Sequence, residues 1–186
     1  ANTLTMNRVN IESHNLGVDV REVNLAGARL AKAAAGRDRF VLGDIGSTGK
    51  MLKPYGQLSA GQAGAAFREQ AALLAEGGVD GFILETMCDL RAALLAVRAA
   101  KEAGDLPIMA SIAFNTANNG GRTVMGDTAH DCAQALTQAG ACVVGWAEIR
   151  IARPEPTNGF SEFRENVSRF GPWTPASLMP TVAPVT

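Results

Sequence analysis

Cysteine is scarce in this chain. Cys88, Cys132 and Cys142 are an odd number, with no CxxC pair and no metal-type spacing. A disulfide framework is excluded, and the thiols read as reduced, in a cytoplasmic protein. Cys132 falls on the apolar face of a helical pattern and Cys142 in an apolar strand, so both are expected to pack. Cys88 stands where it would pack a helix start or line a pocket. An excess of one charge is also lacking. Seventeen basic residues face eighteen acidic ones, which gives no field to gather nucleic acid or a membrane surface. Aromatic residues, at 5%, are too few to build stacking platforms for bases. No apolar run approaches membrane-spanning length, and no secretory leader is visible. The two histidines, His14 and His130, are too isolated to suggest a catalytic triad. There is no GxGxxG, no HExxH and no nucleophile elbow.

What is present is a chain of 186 residues, 47% hydrophobic, enough for one substantial core. Apolar strand patterns occur at Phe40–Ile45, Gly81–Leu84, Pro107–Phe114 and Ala141–Trp146, with a weaker one at Ala1–Leu4. The opening Ala1-Asn2-Thr3-Leu4 is strand-like from its first residue, and upstream sequence is expected. Helical stripes lie between the strands. Val23, Leu30 and Ala34 precede Gly36, and Phe67, Ala71 and Leu74 follow Ser59 as N-cap. Leu90, Leu94, Val97 and Ala100 form a third stripe. Ala129, Ala133, Leu136 and Ala139 form a fourth, closed by Gly140. Strand starts recur at intervals of roughly 25 to 40 residues, the spacing of parallel βα units. From Ala147 onward the character changes: prolines and mixed charges crowd the sequence. Ser161–Phe170 still suits a helix, and residues 171–186 read as an extended or poorly ordered tail.

The most informative stretch is Gly81-Phe82-Ile83-Leu84-Glu85-Thr86. A short apolar run ends abruptly on a carboxylate and a hydroxyl. A carboxylate at the end of a buried parallel strand is costly unless something pairs with it or uses it. Other polar signals fall at strand C-terminal ends: Asn2-Thr3, Asp44 through Lys50, the loop Asn115–Arg122, and Glu148. In α/β barrels and open α/β sheets that edge carries the site. Gly43-Asp44-Ile45-Gly46-Ser47-Thr48-Gly49-Lys50 invites comparison with a phosphate loop, but fails it. Asp44 stands where the first Gly belongs, and Met51 replaces the magnesium-binding hydroxyl. Its glycines are expected to allow a tight turn that brings backbone close to a ligand.

Six segments in order carry a resemblance: Asn2-Thr3-Leu4, Glu22-Val23-Asn24, Gly43 to Gly49, Phe67-Arg68-Glu69-Gln70, Leu84-Glu85-Thr86-Met87, and Arg122-Thr123-Val124-Met125-Gly126. Over residues 1–145 the chain resembles the homocysteine S-methyltransferase domain of cobalamin-dependent methionine synthase and betaine–homocysteine methyltransferases. The resemblance implies a (β/α)8 barrel, and a zinc ion on three cysteine thiolates that binds the homocysteine sulfur. It implies methyl transfer to that thiol, giving methionine, from a methyl-corrinoid or related donor, with methylcobalamin carried by a partner protein or domain. By the same resemblance Glu85 receives the substrate amino group, and Thr3 makes a polar contact at the amino-acid end. A free thiol titrates near ~8.5, so its activation as thiolate is the chemistry a metal supplies.

The chain departs from that pattern at the zinc. The family's Gly-x-Asn-Cys reads Gly145-Trp146-Ala147-Glu148, so Glu148 stands at the first zinc-cysteine position. The adjacent Cys-Cys pair of the last strand is absent, and none of the three cysteines aligns with a ligand. A complete barrel needs about 250 residues. The expectation is an incomplete TIM-type barrel of five to six parallel βα units over residues 1–170. Zinc is not expected on this chain, and self-association through open barrel edges is. Two other readings stand beside methyl transfer. One is a non-catalytic partial barrel that binds a partner or itself. The other is a different barrel enzyme using Glu85 and Glu148 as paired carboxylates.

Overall fold

The computed structural model describes residues 1–115 and 121–148, with the backbone alone for Ala147 and Glu148. The Ser161–Phe170 helix, the 171–186 tail and most of the Asn115–Arg122 loop lie outside the described residues. Among the described residues there are nine elements, alternating from the second onward. They are α1 (Arg8–Ser13), α2 (Val20–Ala35), β1 (Leu42–Ile45), α3 (Ala60–Glu76), β2 (Gly81–Met87), α4 (Leu90–Ala103), β3 (Ile108–Phe114), α5 (Ala129–Ala139) and β4 (Val143–Glu148). The four strands form one parallel sheet in the order β1-β2-β3-β4. Each strand pairs with the next through a helical crossover, as parallel pairing requires. The fold is α/β, as the strand spacing implies.

Local sequence explains the helix ends. Ser59 caps α3 in a reciprocal box with Gln62. Asp19, Asp89 and Thr128 cap α2, α4 and α5 through their side chains. Gly140 ends α5 at φ 108°, a left-handed conformation that favours glycine. Register then assigns the sheet faces. Gly43, Ile45, Phe82, Leu84, Ile108, Ala110 and Ile112 share the face that carries the helices. Phe67 and Leu74 of α3 and Val97 of α4 join Phe82 and Leu84 in one fully buried cluster. On the other face Leu42, Asp44, Ile83, Glu85, Met109, Ser111 and Val143 remain half-buried.

Several expectations are corrected. Ala1–Leu4 is not a strand; it is an irregular segment that turns at Leu4 and is bonded to β1 and the loop beyond it. Phe40 is not a strand residue and is exposed. In α2, Leu30 and Ala34 are exposed, because the helix packs through Val20, Asn24, Leu25 and Ala28 instead. Cys142 precedes β4 and is exposed, with its Sγ 3.1 Å from the Ile108 carbonyl. Cys132 is buried on α5, as its place in the stripe implies. Helix α1 was not foreseen. Its six residues are fixed by the Asn7 cap and by tertiary contacts rather than by an apolar period.

Candidate functional site

The C-terminal edge of the sheet gathers the polar groups. Asp44 lies opposite Ile83 in the β1–β2 register, and Glu85 is two residues further along β2. Strand alternation therefore puts both side chains on the half-buried face, on neighbouring strands. Their carboxyl groups are within hydrogen-bonding reach of each other. Asp44 Oδ1 is buried and receives no donor among the described residues. Burial, and then the charge of Glu85, push the Asp44 carboxyl from 3.8 up to about 7; the amino terminus at Ala1 acts the other way. Near neutral pH this site therefore holds a proton that an ordinary aspartate would have lost.

Directly after Glu85, Thr86 adopts φ 55°. A β-branched residue there is a backbone outlier that costs on the order of 1–3 kcal/mol. The β2–β3 register shifts between Leu84 and Met87 at the same point. The Thr86 amide donates to Ser111 Oγ at 3.1 Å, which gives the displaced N–H a partner on β3. The irregularity turns the strand end at the residue that follows the carboxylate.

Asp44 is held from behind by a buried polar network. Thr3 is fully buried, and its hydroxyl donates to the Asp44 carbonyl at 2.8 Å. Gln70 of α3, also fully buried, donates from Nε2 to the Thr3 carbonyl at 2.7 Å and to Asn24 Oδ1 at 3.2 Å. Asn24 donates to the carbonyls of Met6 and Val20, each at 2.8 Å. The Ala1 nitrogen bonds the Leu42 carbonyl, and the Gly46 amide donates to the Leu4 carbonyl at 2.8 Å. Asn7 and Asn10 both donate to the Ser47 carbonyl, at 3.2 and 2.8 Å. The close approach that Gly46 permits is thus to the chain's own Leu4, whose Cδ1 lies 2.6 Å from where a Cβ would stand. Residues quoted from four separate segments of the sequence, Thr3, Asn24, Asp44 with Gly46, and Gln70, meet in one cluster.

Glu85 stands where its place in the sequence implies, at the strand end beside a second polar strand end. Thr3 is in the same cluster, with its hydroxyl turned to the Asp44 backbone. Glu148 is the last residue of β4, opposite Phe114 in the register. Strand β3 separates it from β2, so the two backbones are about 10 Å apart. The sequence marks Asp44 only as one of several polar strand ends, not as the neighbour of Glu85. The mark is that Val41-Leu42-Gly43-Asp44-Ile45 is an apolar run interrupted by a carboxylate near its end, as at Glu85.

The described residues do not fit a zinc ion held by thiolates. Among them no three of His, Cys, Asp and Glu come together as a metal-holding group. Cys142 precedes β4, about 20 Å along the strand from its C-terminal end. Burial pushes the Cys132 thiol up to about 12 and raises that of Cys88. The groups at the site edge are carboxylates, harder donors than thiolates.

Among the described residues no helix is long and apolar enough to cross a membrane. Against known protein families, residues 1–147 match the family model described as homocysteine S-methyltransferase.

Proposed function

The chain belongs to the homocysteine S-methyltransferase family, and from that premise we propose that its described sheet holds the amino-acid end of homocysteine during methyl transfer to the thiol. The observation that carries this is the pair of strand-end carboxyls, Asp44 and Glu85, on one face at the C-terminal edge. Family membership supports thiol methylation in general. The finer reading is that the product is methionine and that the methyl group comes from a methyl-corrinoid or related donor on another domain or protein. The half-buried face of the four strands would then be part of the interior of a (β/α)8 barrel.

In this reading Glu85 accepts the substrate ammonium, and Asp44 lies beside it to share that cation. A charge-assisted bond of this kind forms where water is partly excluded, so the ion pair is worth more than in bulk solvent. Thr3 contributes by fixing the Asp44 carbonyl, and through it the direction of the strand end. Thr86 and Ser111 set the turn of β2 just beyond Glu85. The sulfur end is not provided for by thiolate ligands among the described residues.

Calorimetric titration of the reduced chain with L-homocysteine tests the reading. Glu85→Gln keeps the shape and removes the charge, and is expected to weaken binding at least about tenfold, the loss of one charge-assisted bond. Binding unchanged by Glu85→Gln would remove Glu85 from the substrate site.

A further inference from the structure

We propose that Asp44 and Glu85 form a carboxyl dyad that holds one proton between its members while no substrate is bound, and releases it when a substrate ammonium takes its place. The inference rests on the assignment of Glu85 to the substrate amino group and adds a proton to that event.

An ionised carboxylate has acceptors only. Two carboxylates within hydrogen-bonding reach can join only if one of them carries a proton to donate. The alternative, two adjacent negative charges on a partly desolvated face, is opposed by their mutual repulsion. No donor among the described residues reaches the buried Asp44 Oδ1. The groups around the pair bear this out. From β3 the same face brings Met109 and Ser111, neither of them charged at neutral pH. From the N-terminal segment come the Thr3 hydroxyl, already engaged with the Asp44 backbone, and the amino terminus at Ala1, which bonds the Leu42 carbonyl. The upward displacement of Asp44 agrees in direction with a retained proton.

A ligand ammonium supplies what the proton supplied, positive charge and N–H donors between two acceptors. Once it is seated, both carboxyls are stabilised as anions. The dyad proton passes to solvent, and the ammonium keeps its own three. Below neutrality each binding event therefore releases one proton, and the affinity for an α-amino acid climbs with pH. The climb is up to about tenfold per pH unit and levels off above about 7. A single carboxylate of ordinary acidity would show no such climb in this range.

Two measurements test this. Chain labelled with ¹³C at Asp and Glu carboxyls is titrated by NMR without ligand, with Asp44→Asn used to assign the signals. One proton shared by Asp44 and Glu85 and lost near neutrality is expected; both carboxyls losing their protons below about pH 5 overturns the dyad. L-homocysteine is then titrated calorimetrically at pH 6 in two buffers of different ionisation enthalpy. Release of about one proton per ligand, absent in Asp44→Asn, is expected. Binding without proton release overturns the dyad and leaves Glu85 as the ammonium acceptor. No binding of homocysteine at all overturns that assignment, and with it the proton exchange.

Discussion

Asp44 and Glu85 obey the same local rule, a carboxylate breaking an apolar run near a strand end, yet only their adjacency gives the rule chemical content. Adjacency is a property of register. It is set by how a whole crossover helix returns the chain to the sheet, which no window of ten residues encodes. The strand-end position of Glu85 was therefore legible, because a carboxylate closing an apolar run is costly unless it lies at such an edge. Asp44 was legible as a polar strand end, but nothing in its own glycine-rich stretch told which strand end it would meet. The Asp44 proton has a consequence for stability. A carboxyl raised in the folded state binds a proton there that the unfolded chain gives up near 3.8. Between that value and about 7 the native state binds more protons than the unfolded one, so Asp44 makes stability fall as pH rises through the interval. Asp44→Asn is expected to flatten this slope and to leave the variant more stable than the parent at pH 8. Urea unfolding at several pH values measures it, and an identical slope in both proteins would contradict the assignment.

At the scale of elements, caps and apolar periods were legible and the N-terminal segment was not. Ser59, Gly36 and Gly140 mark helix ends because their side chain, or lack of one, meets a backbone need within a few residues. The stripe read in α2 failed because the helix buries a polar residue, Asn24, that no hydrophobic period counts. Asn24 is inside because Gln70 and the Met6 carbonyl satisfy it, and both come from other elements. The same network ties residues 1–4 against β1 as an irregular strap rather than a further strand. Gly46 is where that strap is tightest. A Cβ at this position would stand 2.6 Å from Leu4 Cδ1 and 2.7 Å from the Leu4 carbonyl oxygen. Gly46→Ala is therefore expected to push the strap away and to destabilise the chain by about 1–3 kcal/mol, the usual effect of overfilling a packed contact. Denaturant unfolding measures the loss, and amide exchange at Gly46 should accelerate with it. Unchanged stability would mean that the strap contributes nothing to holding β1.

At the scale of the molecule, the described residues form a four-stranded parallel sheet with one face closed by helices and the other left half-buried, with Asp44 and Glu85 at the C-terminal edge. The order of βα units was legible from spacing, since each unit repeats the same change of hydrophobic period. Family membership was legible too, because its motif residues are the ones that meet around Asp44. The zinc was the point of departure in sequence, with Glu148 in place of a cysteine. The central claim is that these residues recognise the amino-acid end of a thiol substrate through its ammonium group. The most direct measurement is a parallel titration with L-homocysteine and with its deaminated analogue 4-sulfanylbutanoate, which keeps the thiol and the carboxylate. The account requires the analogue to bind at least about tenfold more weakly, since it offers the two carboxyls no cation. Equal affinity for the two compounds would contradict it.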